Sequence, residues 1–276
     1  MGSTAYSPLP DSQLYLQKSY LASLLSKIAK SNTHLANVTL SSQPAKDAFP
    51  IPLQANISLA RLAELGGTDP EIAHQVFILL VKELSLPGQG RPPMLICLDG
   101  LGHAFSPQTR YHDRDYKPIH ALDLWILDWF MKYLNGSSSL PNGGLVLATN
   151  SGSNAPQNRT VEYALSQLKL SPSRSLQAPS SPIAIDRTHT SLPDAIRHNP
   201  FFPYDTRALS IFQSPGLQLQ EVRGLSKGEA ASLMEYWAKS GILRERVDEK
   251  LVGEKWTMSG GGVVGELERC CLRMRV

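Results

Sequence analysis

Asp99 closes an unbroken apolar run, Met94-Leu95-Ile96-Cys97-Leu98, bounded by Pro93 and Gly100. A second run, Leu145-Val146-Leu147-Ala148, ends in Thr149 and Asn150. In α/β sheets ligands gather at the carboxyl ends of parallel strands. An aspartate there helps hold magnesium on bound phosphates in nucleotide-handling proteins. The same residue also serves as a plain strand-end cap, and the pattern is too short to separate the two roles. No Gly-x-x-x-x-Gly-Lys-Ser/Thr occurs in the chain. A loop that cradles phosphates with backbone N–H groups and a lysine is thus missing from these residues, and Asp99 alone cannot hold a triphosphate.

Other reactive residue types fit known sites poorly. No Gly-x-Ser-x-Gly elbow is present, and His103, His112 and His120 match no zinc-ligand spacing. Gly260, Gly262 and Gly265 match G-x-G-x-x-G, but the dinucleotide fingerprint also needs a further strand and an acidic residue about 20 positions on. These glycines are expected to shape a helix entrance instead. The cations form two groups. Arg110, Arg114 and Lys117 lie in the long loop after Asp99. Arg269, Arg273 and Arg275 lie on the last helix, with Arg244 and Arg246 ahead of it. Backbone phosphates need only suitably placed cations, so these residues are either phosphate contacts or a solvated basic face.

The elements that must position these residues follow from apolar periodicity. Apolar residues at helical spacing predict a helix over 19–35 and another over 57–65, the latter stopped by Gly66-Gly67. Thr68-Asp69-Pro70-Glu71 reads as the start of a third, whose core face is Ile72, Val76, Leu79 and Leu80. The run at 94–98 reads as a strand buried on both faces. A long loop, 100–118, leads to a largely buried helix over 119–134, then Asn142-Gly143-Gly144 turns into the second strand. This strand–helix–strand unit is expected to be a parallel crossover, placing Asp99 and Asn150 on one side of the sheet. Residues 157–168 read as helical, 171–182 as a Ser/Pro-rich loop and 192–198 as a helical turn. A Pro/aromatic junction at 199–204 marks the boundary between a domain of residues 1–205 and a smaller one of 206–276. In the latter, 217–222 alternates like a half-exposed strand. Ser226-Lys227-Gly228-Glu229 is a capping box opening a helix, with Gly241 as its C-cap. Residues 254–258 read as a short strand, and a final helix follows Ser259-Gly260-Gly261-Gly262. Helices with small wing strands suggest a winged-helix-like module.

Composition sets the frame. The 276 residues are 42% apolar and 18% charged, enough to build a real core. A net charge of +3 is compatible with a nucleic-acid contact but is weak support for one. Three cysteines, Cys97, Cys270 and Cys271, form neither a disulfide framework nor a zinc pattern, which points to a reducing compartment. No apolar run approaches the ~20 residues that span a bilayer.

Three carboxy-terminal blocks carry a family resemblance: Val222-Arg223-Gly224-Leu225-Ser226-Lys227-Gly228-Glu229-Ala230, then Tyr236-Trp237-Ala238-Lys239-Ser240-Gly241, then Glu254-Lys255-Trp256-Thr257-Met258-Ser259-Gly260-Gly261-Gly262. With residues 20–32, Leu98-Asp99-Gly100 and Leu147-Ala148-Thr149-Asn150, they occur in the order found in fungal members of the death-associated protein three family. The sequence resembles that family over most of its length. The resemblance implies an α/β fold: an incomplete P-loop ATPase-like parallel sheet with helices, plus the small winged-helix-like tail. It implies a non-enzymatic structural constituent of the mitochondrial small ribosomal subunit, with ribosomal RNA and neighbouring ribosomal proteins as partners. It places Asp99 and Asn150 at the family's second nucleotide motif, for GTP or GDP with magnesium. Family members carry a phosphate loop and a mitochondrial presequence ahead of the segment that starts here near Ala5, so the chain is expected to be an amino-terminally truncated fragment. The alternative implied is a GTP- or ATP-binding switch or hydrolase whose phosphate loop lies upstream.

Overall fold

The computed structural model describes residues 7–8, 14–41, 49, 51–88, 91–150, 158–170 and 199–272. Internal contacts divide the chain into two compact units, one mainly of residues before 218 and one mainly of 218–276. The fold is mixed: helices plus a small parallel strand pair.

The first unit starts with a short antiparallel pair, β1 (Ser7–Pro8) and β2 (Tyr15–Leu16). Helices α1 (Lys18–Ser31), α2 (Leu59–Thr68) and α3 (Ala73–Leu84) then pack on one another. Their shared core holds Leu21, Leu25, Leu59, Leu62, Val76 and Leu80. The expected stop at Gly66-Gly67 is corrected here, because α2 runs through both glycines. Gly66 faces the other two helices. A β-carbon on it would lie 2.6 Å from Leu25 Cδ1 and 2.8 Å from Val76 Cβ. Close approach of helices, rather than chain termination, requires glycine there. Helix α3 starts at Ala73, later than Thr68-Asp69 suggested, since Asp69 Oδ1 accepts the Glu71 N–H in a local turn (2.9 Å).

Strand β3 (Met94–Leu98), the single turn α4 (Leu101–Ala104), helix α5 (Trp125–Leu134) and strand β4 (Gly144–Ala148) follow. The strands pair in parallel with Leu95 opposite Leu145 and Cys97 opposite Leu147, so the expected parallel connection is present. Burial on both faces is not. Leu95, Leu145 and Leu147 are 63, 58 and 44% exposed, and Cys97 is exposed beside them. Every second side chain on this one face meets no covering element, while Met94, Ile96 and Leu98 alternate toward cover. An unbroken apolar run reports the chemistry of both faces but not what lies against them. Helix α5 docks on α3 through edge-to-face rings, Phe77 with Trp129 (5.0 Å between centroids) and with Trp125 (5.9 Å).

Substituting Leu95 and Leu147 together by threonine should leave the unfolding temperature nearly unchanged, because little area is lost. It should reduce self-association, read by light scattering as a lower apparent mass. A large drop in unfolding temperature would show that the face is covered in the free chain.

Helices α6 (Arg159–Leu170) and α7 (Thr206–Phe212) come next. Asn158 caps α6: its Oδ1 accepts the Thr160 N–H (3.0 Å), and its Nδ2 donates to Phe105 O (2.9 Å). Phe105 meets Phe212 at 5.2 Å. The loop read at 171–182 and the helical turn at 192–198 lie outside the described residues.

The second unit holds helices α8 (Lys227–Lys239), α9 (Glu249–Met258) and α10 (Val264–Leu272) around Ala230, Met234, Trp237, Leu243, Val252 and Leu267. The capping box at Ser226 and Glu229 forms, and Gly241, at φ 74°, follows the end of α8. Two strand expectations fail. Residues 254–258 are helical, because Asp248 caps α9 through the Leu251 N–H (2.7 Å) and a continuous turn follows. Residues 217–222 are irregular apart from a bridge at Leu219. The module is helical at 254–258, where a wing strand was expected.

The family-bearing glycines interlock (224 with 261 and 262). Leu225 N–H donates to Gly262 O (2.8 Å), and Trp256 Nε1 donates to Leu225 O (2.7 Å). Gly260, Gly261 and Gly262 all have positive φ. Ser259, buried beneath them, donates to Trp256 O (2.8 Å) and accepts the Gly262 N–H (3.2 Å). Of the G-x-G-x-x-G match, Gly262 lies in this tight backbone crossing, Gly260 lies in the turn before it and Gly265 belongs to α10.

Candidate functional site

The two strand ends come together as the crossover predicts. Thr149 N–H donates to Leu98 O (2.9 Å), and Leu101 N–H donates to Thr149 O (2.7 Å). Asp99 accepts the Thr149 hydroxyl, and Asn150 Oδ1 accepts the Gly102 N–H (3.1 Å). Gly100, at φ 72°, makes the reversal between them. The carboxylate and the amide are therefore taken up in tying β3, α4 and β4 together. No group of three or more acidic, histidine or cysteine side chains fit to hold a metal ion occurs among the described residues. Both side chains serve as a strand-end clamp in this structure.

Arg110, Arg114 and Lys117 are all exposed on a loop that is folded rather than slack. Thr109 Oγ1 donates to Ile119 O (2.7 Å), Ile119 N–H donates to Tyr111 O (2.8 Å), and His112 bridges Pro118. At the tip, Asp113 Oδ1 accepts the N–H groups of Asp115 and Lys117, both at 2.8 Å. Ile119 is buried and roots the loop in the core. No ion pair engages the three cations among the described residues.

Of the late cations, Arg269 pairs with Glu266 (2.6 Å) beside a cavity of about 690 Å³ that Cys270 and Cys271 also line. Burial pushes the Cys271 thiol up, away from the thiolate. Arg273 and Arg275 lie outside the described residues. Arg244 and Arg246 are exposed. His103 and His112 are exposed. His120 bonds Asp205 through Nε2 (3.2 Å) and accepts the Leu122 N–H at Nδ1 (3.0 Å).

Burial, then the nearby Arg207 charge, lowers the His120 pKa below 6.5, and burial alone lowers that of His74 against Trp125. Between 6.5 and these lower values the unfolded chain binds protons that the folded chain does not. Stability from both histidines is complete above pH 6.5 and declines as pH falls below it. The unfolding temperature should drop from pH 7 to pH 5.5, and His74→Gln should flatten that slope. A slope unchanged by the substitution would remove His74 from the account.

Sequence reasoning missed two things here: the Thr149 contact to Asp99, and the exposed Tyr116 between the loop cations. The alternating Asp-Arg-Asp-Tyr-Lys at 113–117 was the available signal for the tip turn, since Asp side chains bond backbone N–H groups two residues on.

A parallel α/β unit with a clamped strand end, a rooted cationic loop and a helical tail locked by glycines is the framework the comparisons place. The chain belongs to the mitochondrial ribosomal death-associated protein 3 family, whose model matches residues 1–270. It is similar to small ribosomal subunit protein mS29 of Neurospora crassa, at 33% identity across 98% of this chain and 53% of the relative. The chain thus spans about half the length of that relative.

Proposed function

We propose that this chain is a structural constituent of the mitochondrial small ribosomal subunit, docking on ribosomal RNA and neighbouring ribosomal proteins rather than catalysing a reaction. Family membership over residues 1–270 is the observation that carries the reading. The similarity to a small-subunit ribosomal protein supports it. Two surfaces suit docking. Arg110, Arg114 and Lys117, exposed and without an ion pair among the described residues, suit RNA phosphates, with Arg269, Arg273 and Arg275 as further candidates. The open apolar face of β3 and β4 suits a protein neighbour. The parallel strand pair with its connecting helix supports a P-loop ATPase-like descent for the first unit. Asp99 and Asn150 then keep a place at the strand ends as clamp residues.

The test is sucrose-gradient fractionation of mitochondrial lysate with peptides of this chain tracked by mass spectrometry. Migration with the small subunit, released by high salt, is expected. Peptides confined to the light fractions would overturn the reading.

A further inference from the structure

The loop whose three cations form no ion pair among the described residues also displays an exposed aromatic ring. Tyr116 is 88% exposed, and it is held in the left-handed region at φ 60°. Tyrosine has no intrinsic preference for that conformation. The surrounding loop imposes it: Tyr116 N–H donates to Asp113 O (3.2 Å), Asp113 N–H donates to Lys117 O (2.9 Å), and Asp113 Oδ1 receives the backbone N–H on either side of Tyr116. Residues held in sparsely populated backbone regions cluster at functional and ligand-contacting sites, and this one carries an aromatic face into solvent.

We infer that Tyr116 is a stacking platform for an unpaired nucleobase, with Arg114 and Lys117 on the adjoining phosphates and Arg110 at the loop base. This deepens the ribosomal RNA docking proposed above and rests on it. Single strands are recognised through aromatic faces that stack bases and cations that follow the backbone. The tip places both chemistries within two residues of one another. A duplex offers no free base face, so the inference selects an unpaired segment. Asp113 and Asp115 lower the net charge of the loop to three cations against two carboxylates. Asp113 is occupied by backbone N–H groups, and the loop remains positive overall.

The test uses the 276-residue chain and a fluorescein-labelled, unstructured 12-nucleotide RNA, with a duplex of the same length alongside, read by anisotropy across a salt series. Tyr116→Ala is expected to weaken single-strand binding roughly 5- to 150-fold, the size of one lost base stack. Its salt slope should not change, and Tyr116→Phe should bind like the unaltered chain. Arg114→Gln should reduce the salt slope by about 0.7, the loss of one phosphate contact. Tyr116→Asn guards against misfolding, because asparagine favours the left-handed region. It should unfold no earlier than the unaltered chain while losing affinity like alanine. If the unaltered chain binds RNA with a salt slope and Tyr116→Ala binds equally, the stacking inference is overturned and the docking reading stands. Loss with both alanine and phenylalanine overturns it in favour of a hydroxyl contact. An unaltered chain that binds no RNA overturns both.

Discussion

Arg91→Ala is expected to unfold the first unit at markedly lower urea concentration, with a loss of about 3–5 kcal/mol. Arg91 and Glu83 are each 3% exposed at the side chain and bond at 2.5 Å. The guanidinium also reaches Glu83 O (2.8 Å), Thr39 O (3.1 Å) and Ser41 Oγ (2.9 Å). Glu83 Oε1 in turn accepts Ser41 N–H (2.5 Å) and its hydroxyl. One buried charge pair thus gathers the end of α3, the strand-like segment after α1 and the entrance to β3. Asn142 adds the turn before β4, donating to Arg91 O (3.0 Å). Removing one partner leaves the other charge in an apolar interior, and that penalty is the main part of the loss. Arg91→Lys should recover little, since an ammonium cannot serve carbonyl, hydroxyl and carboxylate in fixed planar directions. The double change Arg91→Met with Glu83→Leu should be milder than Arg91→Ala, because no charge is stranded. A single substitution that costs under about 1 kcal/mol, the scale of an exposed pair, would show that water reaches the site.

Gly262→Ala is the second large effect. Its φ of 81° disfavours any β-carbon by about 1–2 kcal/mol. The added carbon would lie 2.2 Å from Leu225 O and 2.7 Å from Trp256 Nε1. Those atoms form one of the bonds that close the crossing, so relief of the clash breaks it. Backbone strain and a lost buried bond together are expected to cost the second unit about 3 kcal/mol or more. Gly260→Ala is the matched control. Its φ is 66°, and nothing lies within 4 Å of its added carbon. Only the conformational part, about 1–2 kcal/mol, should appear there. Urea unfolding followed by Trp256 fluorescence separates the two. Equal losses would mean that the crossing yields and that conformation alone sets the requirement for glycine.

The parallel strand pair, the placement of Asp99 and Asn150 at neighbouring strand ends, and the capping box at Ser226 were all legible in the sequence. Each rests on local chemistry: an apolar run ended by a polar residue, or a hydroxyl three residues before a glutamate. The misreadings share one origin. Gly66-Gly67 looked like a stop because sequence shows backbone freedom but not that Leu25 and Val76 need the space. Residues 254–258 read as extended when taken by themselves, whereas the helix that runs through them is started by Asp248, eight positions before Trp256. The burial of β3 was overstated because periodicity reports which residues tolerate cover, not whether another element provides it. Arg91 carried no signal in sequence: a lone arginine before two prolines reads as surface, and its partner Glu83 follows Lys82 at the end of a helix and reads as part of its polar face. In the candidate site, the three loop cations are candidates by residue type alone, whereas the outward Tyr116 needed the geometry of the turn.

Cys97 stands in the middle of the uncovered strand face, level with Leu147 and two residues from Leu95. Its thiol therefore acts as a covalent recorder of assembly. A maleimide added to the free chain should label it, and a protein seated on that face should slow the labelling. Two copies that stack face to face bring two such thiols into the same apolar seam, where mild oxidation would trap the misassembled pair for mass spectrometry. The rate of Cys97 labelling would thus distinguish a covered strand face from an open one.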